Sequence, residues 1–325
     1  MMMSPPASRS PVELYLEARN YIDVEIVRHT PRFRTPSGKV ETALEFNRNL
    51  SDPQAAYPSV QIAGTSGKGS VAHYLSRILH AAGLKTGLHI SPYLQVATEK
   101  TWVDGKYASS EQFHQACLEV KPVTESFRYR HDCPASVHGM ASLALSYCAF
   151  RKEGIDWCVM ETGLGGRFDL VQGLDRQLAV ITDIGLDHVE SLGGDVKSIA
   201  WHKAGIMAGA PLALAVYSSA VWRVFEDEAR RCGCELRPLH PDDLVRTAQG
   251  AGADTLAFRL PRLGEVEIPR PQGLLGYPVR NMAVAASAAD ALAEAGCPVT
   301  AAAVAEGLSG PPLPGRMEVL QENPR

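Results

Sequence analysis

A chain of 325 residues, 45% hydrophobic and 21% charged, is long enough to bury a sizeable core, as two domains or as one large α/β domain. A formal net charge of −4 excludes a general electrostatic attraction to nucleic acid or membrane surfaces. No apolar run approaches the roughly 18 residues of a membrane span, and the start, Met1-Met2-Met3-Ser4-Pro5-Pro6, lacks the apolar core of a signal peptide. Seven scattered cysteines show neither zinc-ligand nor C-x-x-C spacing, Cys232-Gly-Cys234 being the one close pair. Reduced, mostly buried thiols in a cytoplasmic protein are the expectation.

In chain order, residues 1 to 10 read as disordered. The apolar positions Leu14, Tyr15, Ala18, Ile22 and Ile26 share one helical face and predict a first helix over 12–26. A basic loop follows through Arg32, Arg34 and Lys39, then a short helix near 41–50. Val60 to Ala63 is a buried strand that stops at Gly64-Thr65-Ser66-Gly67-Lys68-Gly69-Ser70. Beyond it, Val71, Tyr74, Leu75, Ile78, Leu79 and Ala82 fall on one face of a helix that Gly83 ends, and 85–90 reads as the next strand. Strand, glycine turn, helix and strand together make the opening unit of a nucleotide-binding α/β sheet.

Further along, 98–102 with Asp104-Gly105 suggests a small hairpin, and helices are expected over 111–120 and 137–150. Trp157 to Met160 is a buried strand ending at Glu161, and Leu178 to Ile184 another, followed by Asp187-His188. Between them, Gly163-Leu164-Gly165-Gly166-Arg167-Phe168-Asp169 is too glycine-rich for a helix and reads as a loop packed close to a ligand or to other backbone. Helix 196–204, strand 210–216, helix 220–232, strand 235–239, a hairpin of 256–260 with 265–268, and helices 280–295 and 300–308 complete the pattern. Pro311-Pro312-Leu313-Pro314-Gly315-Arg316 then breaks regular structure.

The chemistry gathers at strand ends. Backbone N–H groups converge at the glycine turn, the helix N-terminus adds partial positive charge, and Lys68 adds a whole one, a setting for polyphosphate. The spacing departs from G-x-x-x-x-G-K-[ST], and a plain glycine turn with a solvated lysine is the alternative. Ser70 or Ser91, with Glu161 and His188, offers hard ligands at loop positions after strands. So sparse a set suits the Mg²⁺ of ATP. Singly, His188 could be a surface residue and Glu161 a cap.

The series Ala63-Gly64-Thr65-Ser66-Gly67-Lys68-Gly69-Ser70, Ser91-Pro92-Tyr93-Leu94, Glu161 to Asp169, Ile184-Gly185-Leu186-Asp187-His188 and Lys203-Ala204-Gly205-Ile206 resembles the folylpolyglutamate synthase and dihydrofolate synthase branch of the Mur ligase family. Asn281 and Pro314-Gly315-Arg316 match later family positions. The resemblance implies an α/β fold, a mostly parallel sheet flanked by helices as in P-loop NTPases. Residues 1–310 would form the ATP-binding central domain, with 1–57 as a helical arm and 311–325 as a linker. Family members continue into a second α/β domain of roughly a hundred residues or more, a common domain size, which this chain is expected to lack.

The implied activity is an ATP-dependent amide ligase that adds L-glutamate to a reduced folate or dihydropteroate through an acyl phosphate, acting as a monomer. Gly67, Lys68, Gly69, Ser70, Asn281 and Arg316 would hold ATP. Ser70, Ser91, Glu161 and His188 would hold Mg²⁺, and Lys68, Lys203 and His188 would serve catalysis. Lys203 matches a lysine that the family carbamylates, and Phe168 and Asp169 would border the pterin. Without the family, Lys203 and Arg316 read as a solvated helix lysine and a linker ion pair.

Several positions depart from the family pattern. Ser66 stands for asparagine, Tyr93 for histidine, and His138 and His202 for glutamate. Leu170-Val171-Gln172 stands for Ala-Thr-Asn, and Tyr277-Pro278 for His-Gln. A non-catalytic ATP-binding protein and a Mur-type ligase with another acidic acceptor are the competing readings.

Overall fold

The computed structural model describes residues 9–27, 38–130, 133–249, 254–270 and 276–316. Arg32, Arg34, residues 1–8 and residues 317–325 lie outside them. Eight strands form the main sheet: β1 (Pro58–Ala63), β2 (Thr86–His89), β3 (Thr101–Val103), β4 (Lys106–Tyr107), β5 (Trp157–Glu161), β6 (Asp175–Ile181), β7 (Leu212–Val216) and β8 (Glu235–Leu239). Their order is β4-β3-β2-β5-β1-β6-β7-β8, parallel except for the β3–β4 hairpin at one edge. The expected α/β class with a mostly parallel sheet is what forms. Among the described residues no helix is long and apolar enough to cross a membrane.

Alternation along the strands explains why both faces are covered. On β6, Leu178 and Val180 join one core while Ala179 and Ile181 join the other; on β7, Leu214 and Val216 part from Ala213 and Ala215 in the same way. The first core receives α3 (Lys68–Ala81), the alanine-rich α8 (Tyr277–Glu294) and α9 (Ala301–Ser309). The second receives α6 (Val196–Ala204) and α7 (Trp222–Cys232). A third cluster joins the arm helices α1 (Pro11–Arg19) and α2 (Lys39–Arg48) to α4 (Ser110–Arg128) and α5 (Val137–Glu153).

Three expectations need correction. The first helix is α-helical only to Arg19 and continues as a π-helix over Asn20–Ile26, whose wider turn buries Tyr21 and Ile26, five residues apart, together. Helix α4 runs eight residues beyond the expected Val120, straight through Pro122. A proline inside a helix costs about 3 kcal/mol, but Thr124 and Phe127 bury beyond it, Phe127 against Phe46 with ring centroids 5.2 Å apart. The expected two-stranded hairpin is a three-stranded sheet: β10 (Asp254–Leu260) pairs with β11 (Gly264–Pro269) and also with β9 (Val245–Gln249). Val-Arg-Thr-Ala-Gln carries too little alternation to announce a strand by itself.

The 311–316 segment is not a free linker. His73 Nε2 lies 3.2 Å from the Pro311 carbonyl, Arg77 Nε donates to the Gly307 carbonyl at 3.0 Å, and Leu313 is buried. Helix α9 approaches α3 closely at Gly307, where an added Cβ would come within 2.6 Å of the Ile78 backbone nitrogen and Cα. Gly307→Ala should therefore destabilise the fold by about 1–3 kcal/mol, despite alanine's better helix propensity. Urea unfolding checks this; equal or greater stability of the variant would show that α9 can shift freely.

Candidate functional site

The glycine turn sits at the carboxyl end of β1, between β5 and β6, where open α/β sheets bind ligands. Its shape is set by contacts to the β6 exit. Thr182 Oγ1 donates to the Ser66 carbonyl at 2.5 Å, and Thr65 N donates to the Asp183 carbonyl at 2.8 Å. Gly64, at φ +149°, lies so close to Thr182 that an added Cβ would overlap Oγ1 at 1.7 Å. Gly67 takes a left-handed φ of +81° ahead of α3, and a Cβ there would meet Asn281 Oδ1 at 2.3 Å. Both glycines are required by backbone shape and by close approach.

Two ammonium groups share the Gly64 carbonyl. Lys68 Nζ donates to it at 3.1 Å and to the Thr65 carbonyl at 3.4 Å; Lys203 Nζ donates to it at 2.7 Å. Lys203 is almost fully buried. Desolvation, reinforced by the Lys68 charge, brings its pKa down to about 8, against the pull of Asp187 and Asp169.

The glycine-rich segment after β5 holds this lysine in place. Arg167 N donates to the His202 carbonyl at 2.7 Å, and Cβ atoms added at Gly166 or Gly205 would strike the α6 backbone or Arg167. This is the expected loop packed close to other backbone. Arg167 also pairs with the buried Glu228 of α7 at 2.7 Å and lies 4.1 Å above the Trp201 ring.

Gly67, Lys68, Gly69, Ser70, Glu161, Asn281 and Arg316 line one cavity of about 460 Å³, with Thr65, Tyr277 and Leu313. Ser91 lines an adjoining cavity of about 220 Å³ that shares Gly69, Glu161, Leu313 and Arg316 with the first. Glu161 is buried, its Oε2 accepting from Ser91 N at 2.8 Å. Burial pushes its carboxyl up, against the pull of the Ser91 N–H, Lys68 and Arg316. An added Cβ at Gly69 would sit 3.4 and 3.5 Å from the two Glu161 oxygens, so the carboxylate faces the phosphate loop directly. A hydroxyl and a carboxylate at such a turn fit a hard cation that takes its remaining ligands from phosphate and water.

Two expected participants stand elsewhere. His188 is exposed, its Nε2 3.5 Å from Asp187 Oδ1, and it lines neither cavity. Among the described residues no group of three or more His, Cys, Asp or Glu converges as a metal cage. Asp169 is buried with its oxygens engaged by the Leu164 and Val171 amides at 2.8 and 2.9 Å, which organises the loop, and it lines neither cavity. Phe168 packs against Trp201 and His202, ring centroids 5.9 and 5.7 Å away.

Residues beyond the expected set also shape the site. Asp183 accepts from Arg280 Nη2 at 3.1 Å, tying the start of α8, and thus Asn281, to the β6 exit. Asp183 lies two residues past the end of β6, and because the expected strand ran on to Ile184 no strand-end signal marked it. Leu313 and Tyr277 carried no such signal.

The depressed Lys203 pKa has a stability consequence. Unfolding restores the ordinary value near 10.5, so the unfolded chain binds a proton that the folded chain sheds above about pH 8. Between those values wild type should gain stability over Lys203→Met as pH rises, by at most about 1.4 kcal/mol per pH unit. Denaturant unfolding of both proteins from pH 7 to 10.5 measures the difference; a flat difference would contradict the buried ammonium.

Residues 62–231 match the family model described as the Mur ligase middle domain. The chain is 31% identical over 319 residues to the dihydrofolate synthase/folylpolyglutamate synthase of Mycobacterium tuberculosis, covering 92% of this chain and 65% of that protein. It is 31% identical over 281 residues to the enzyme of the same description from Bacillus subtilis, covering 85% and 64%. The chain thus spans just under two thirds of the length of these relatives. Among solved structures, the Mycobacterium tuberculosis folylpolyglutamate synthase complexed with ADP superposes with a TM-score of 0.80 at 28% identity, covering 95% of this chain and 68% of that one. A family match over more than half of the chain, on a nucleotide-type sheet with a glycine turn at its switch point, makes this protein a member of the Mur ligase family through its middle domain.

Proposed function

We propose that the chain is the ATP-binding part of a ligase that joins L-glutamate to a reduced folate or dihydropteroate by an amide bond. The observation that carries this reading is the convergence of a glycine turn, the Lys68 ammonium and a buried carboxylate on one cavity, with the buried Lys203 on the Gly64 carbonyl of the same turn, in a chain similar to folylpolyglutamate synthases. In the proposed reaction a substrate carboxylate oxygen attacks the γ-phosphorus of ATP, and the bond to the ADP oxygen breaks. The glutamate amine then attacks the acyl carbon, loses a proton and expels phosphate. Such chemistry depends on positioning and charge stabilisation and needs no side-chain nucleophile.

The Gly67, Lys68 and Gly69 amides, with the Lys68 ammonium, would carry the phosphate charge, and Asn281 and Arg316 would hold the rest of the nucleotide. Ser70 and Glu161, with Ser91 beside them, would hold Mg²⁺, which when bound neutralises charge building between the phosphates. Lys203, with its amine partly neutral near pH 8, is suited to carbamylation, which would turn a second cation at the Gly64 carbonyl into an anionic support. Phe168, with Trp201 and His202, would border the flat pterin ring. The ATP-binding unit, proposed as 1–310 with 1–57 as its arm, takes in 311–316, since Leu313 is buried and lines the same cavity. Cytoplasmic residence agrees with seven free cysteines, and a monomer is the proposed state.

Lys68→Ala and Glu161→Gln should each weaken Mg-ATP binding by about 10- to 100-fold in titration calorimetry, the range for losing a charged hydrogen-bonding group. ADP release should require both a reduced folate and glutamate. Intact Mg-ATP binding with no ADP release for any folate acceptor, even when a relative's C-terminal domain is fused on, would leave a nucleotide-binding protein and overturn the ligase.

A further inference from the structure

The loop from Ser91 to Val96 walls the smaller cavity, yet several of its anchors lie outside it. Ser91 N holds Glu161, as described. Two residues on, Tyr93 Oη donates to Asp23 Oδ2 at 3.2 Å. Asp23 belongs to the π-helix of the N-terminal arm, and its Oδ1 faces His138 Nε2 at 3.3 Å at the start of α5. Lys100 Nζ lies 5.2 Å from the Tyr93 ring centroid and donates to Ser142 Oγ at 3.1 Å. Beyond Tyr93, the Leu94, Gln95 and Val96 amides all donate to the Glu99 carboxylate, at 2.7, 3.0 and 2.9 Å. The Leu94 side chain reaches the Gly315 turn, 2.7 Å from where a Cβ would stand.

These contacts divide the loop in two. Glu99 clamps the three amides of its second half. In the first half, the polar side-chain tie next to the Ser91–Glu161 bond is the one that Tyr93 makes to Asp23. Asp23 does not depend on Tyr93 for charge compensation, because His138 and Lys100 attract the same carboxylate. The tyrosine bond can therefore be removed without stranding a charge.

We propose that Asp23 and Tyr93 are positioning residues: Asp23, carried by the arm, fixes Tyr93, and Tyr93 sets the Ser91 amide that aims the Glu161 carboxylate at the metal of a bound nucleotide. The inference rests on the nucleotide and Mg²⁺ reading above. It gives the π-helical arm a part in metal-dependent binding, although the arm lines neither cavity.

The test titrates the full chain with the ATP analogue AMPPCP by calorimetry, once with Mg²⁺ and once with EDTA. Wild type should bind more tightly with Mg²⁺. In Tyr93→Phe and Asp23→Ala that gain should shrink about 5-fold, the order of one lost hydrogen bond, while metal-free affinity changes less than about twofold. Hydrogen exchange should quicken at the Ser91 and Tyr93 amides and stay unchanged at 94–96. Tyr93→His, which keeps a donor, should recover most of the gain. An undiminished Mg²⁺ gain in both variants, or equal losses with and without metal, would overturn the positioning role alone. A wild type with AMPPCP binding indifferent to Mg²⁺ would overturn the metal reading and this inference together.

Discussion

Two ammonium groups on one backbone carbonyl are the constraint from which the rest of the site follows. Lys68 and Lys203 both donate to Gly64, at 3.1 and 2.7 Å, from helices that approach the turn from different sides. Their repulsion is costly in a buried setting unless one loses its proton or an anion answers both. Burial first, and the Lys68 charge after it, lowers the Lys203 pKa to about 8, which eases proton loss; a polyphosphate, or conversion of the amine to an anion, would supply the second. The turn is thus poised for negative charge before any ligand arrives.

Holding that arrangement takes much of the surrounding framework. Thr182 and Thr65 bind the turn to the β6 exit, Asn281 packs on Gly67, and Arg280 ties α8 to Asp183. Lys203 stays in place because the Gly165-Gly166-Arg167 backbone lies on the end of α6, and Arg167 is anchored in turn by Glu228. A residue larger than glycine at position 166 or 205 would press α6 and the loop apart. The glycine-rich stretch therefore serves close backbone packing.

The fold was largely legible because strand alternation, helix periodicity and glycine stops each act locally. The phosphate turn was legible for the same reason: strand, glycine turn, lysine and amphipathic helix are adjacent in the chain. Part of what escaped was decided by distant partners. The π-helix over Asn20–Ile26 and the passage of α4 through Pro122 follow from packing against residues far along the chain, whereas β9 pairs with the neighbouring β10 and escaped because its own residues alternate too weakly. His188 and Asp169 differ, since their partners are close in the chain: Asp187 for the one, Leu164 and Val171 for the other. Position after a strand, or within a matching motif, marked both as ligand-facing, but side-chain direction came from neighbouring amides and solvent exposure.

The sequence by itself determined a nucleotide-type parallel sheet, the glycine turn with Lys68 and Ser70, and Glu161 at a strand end, because each rests on contacts a few residues long. Tertiary structure alone decided that Lys203 reaches Gly64 across 139 positions, that Leu313 and Arg316 fold back to wall the cavity, and that Asp23 reaches Tyr93. Those pairings depend on which helix lies over which strand, and no local periodicity encodes that choice. The glycine turn and Lys68 could be read from neighbours in the chain; the placement of Lys203 and Arg316 around it could be read only from neighbours in space.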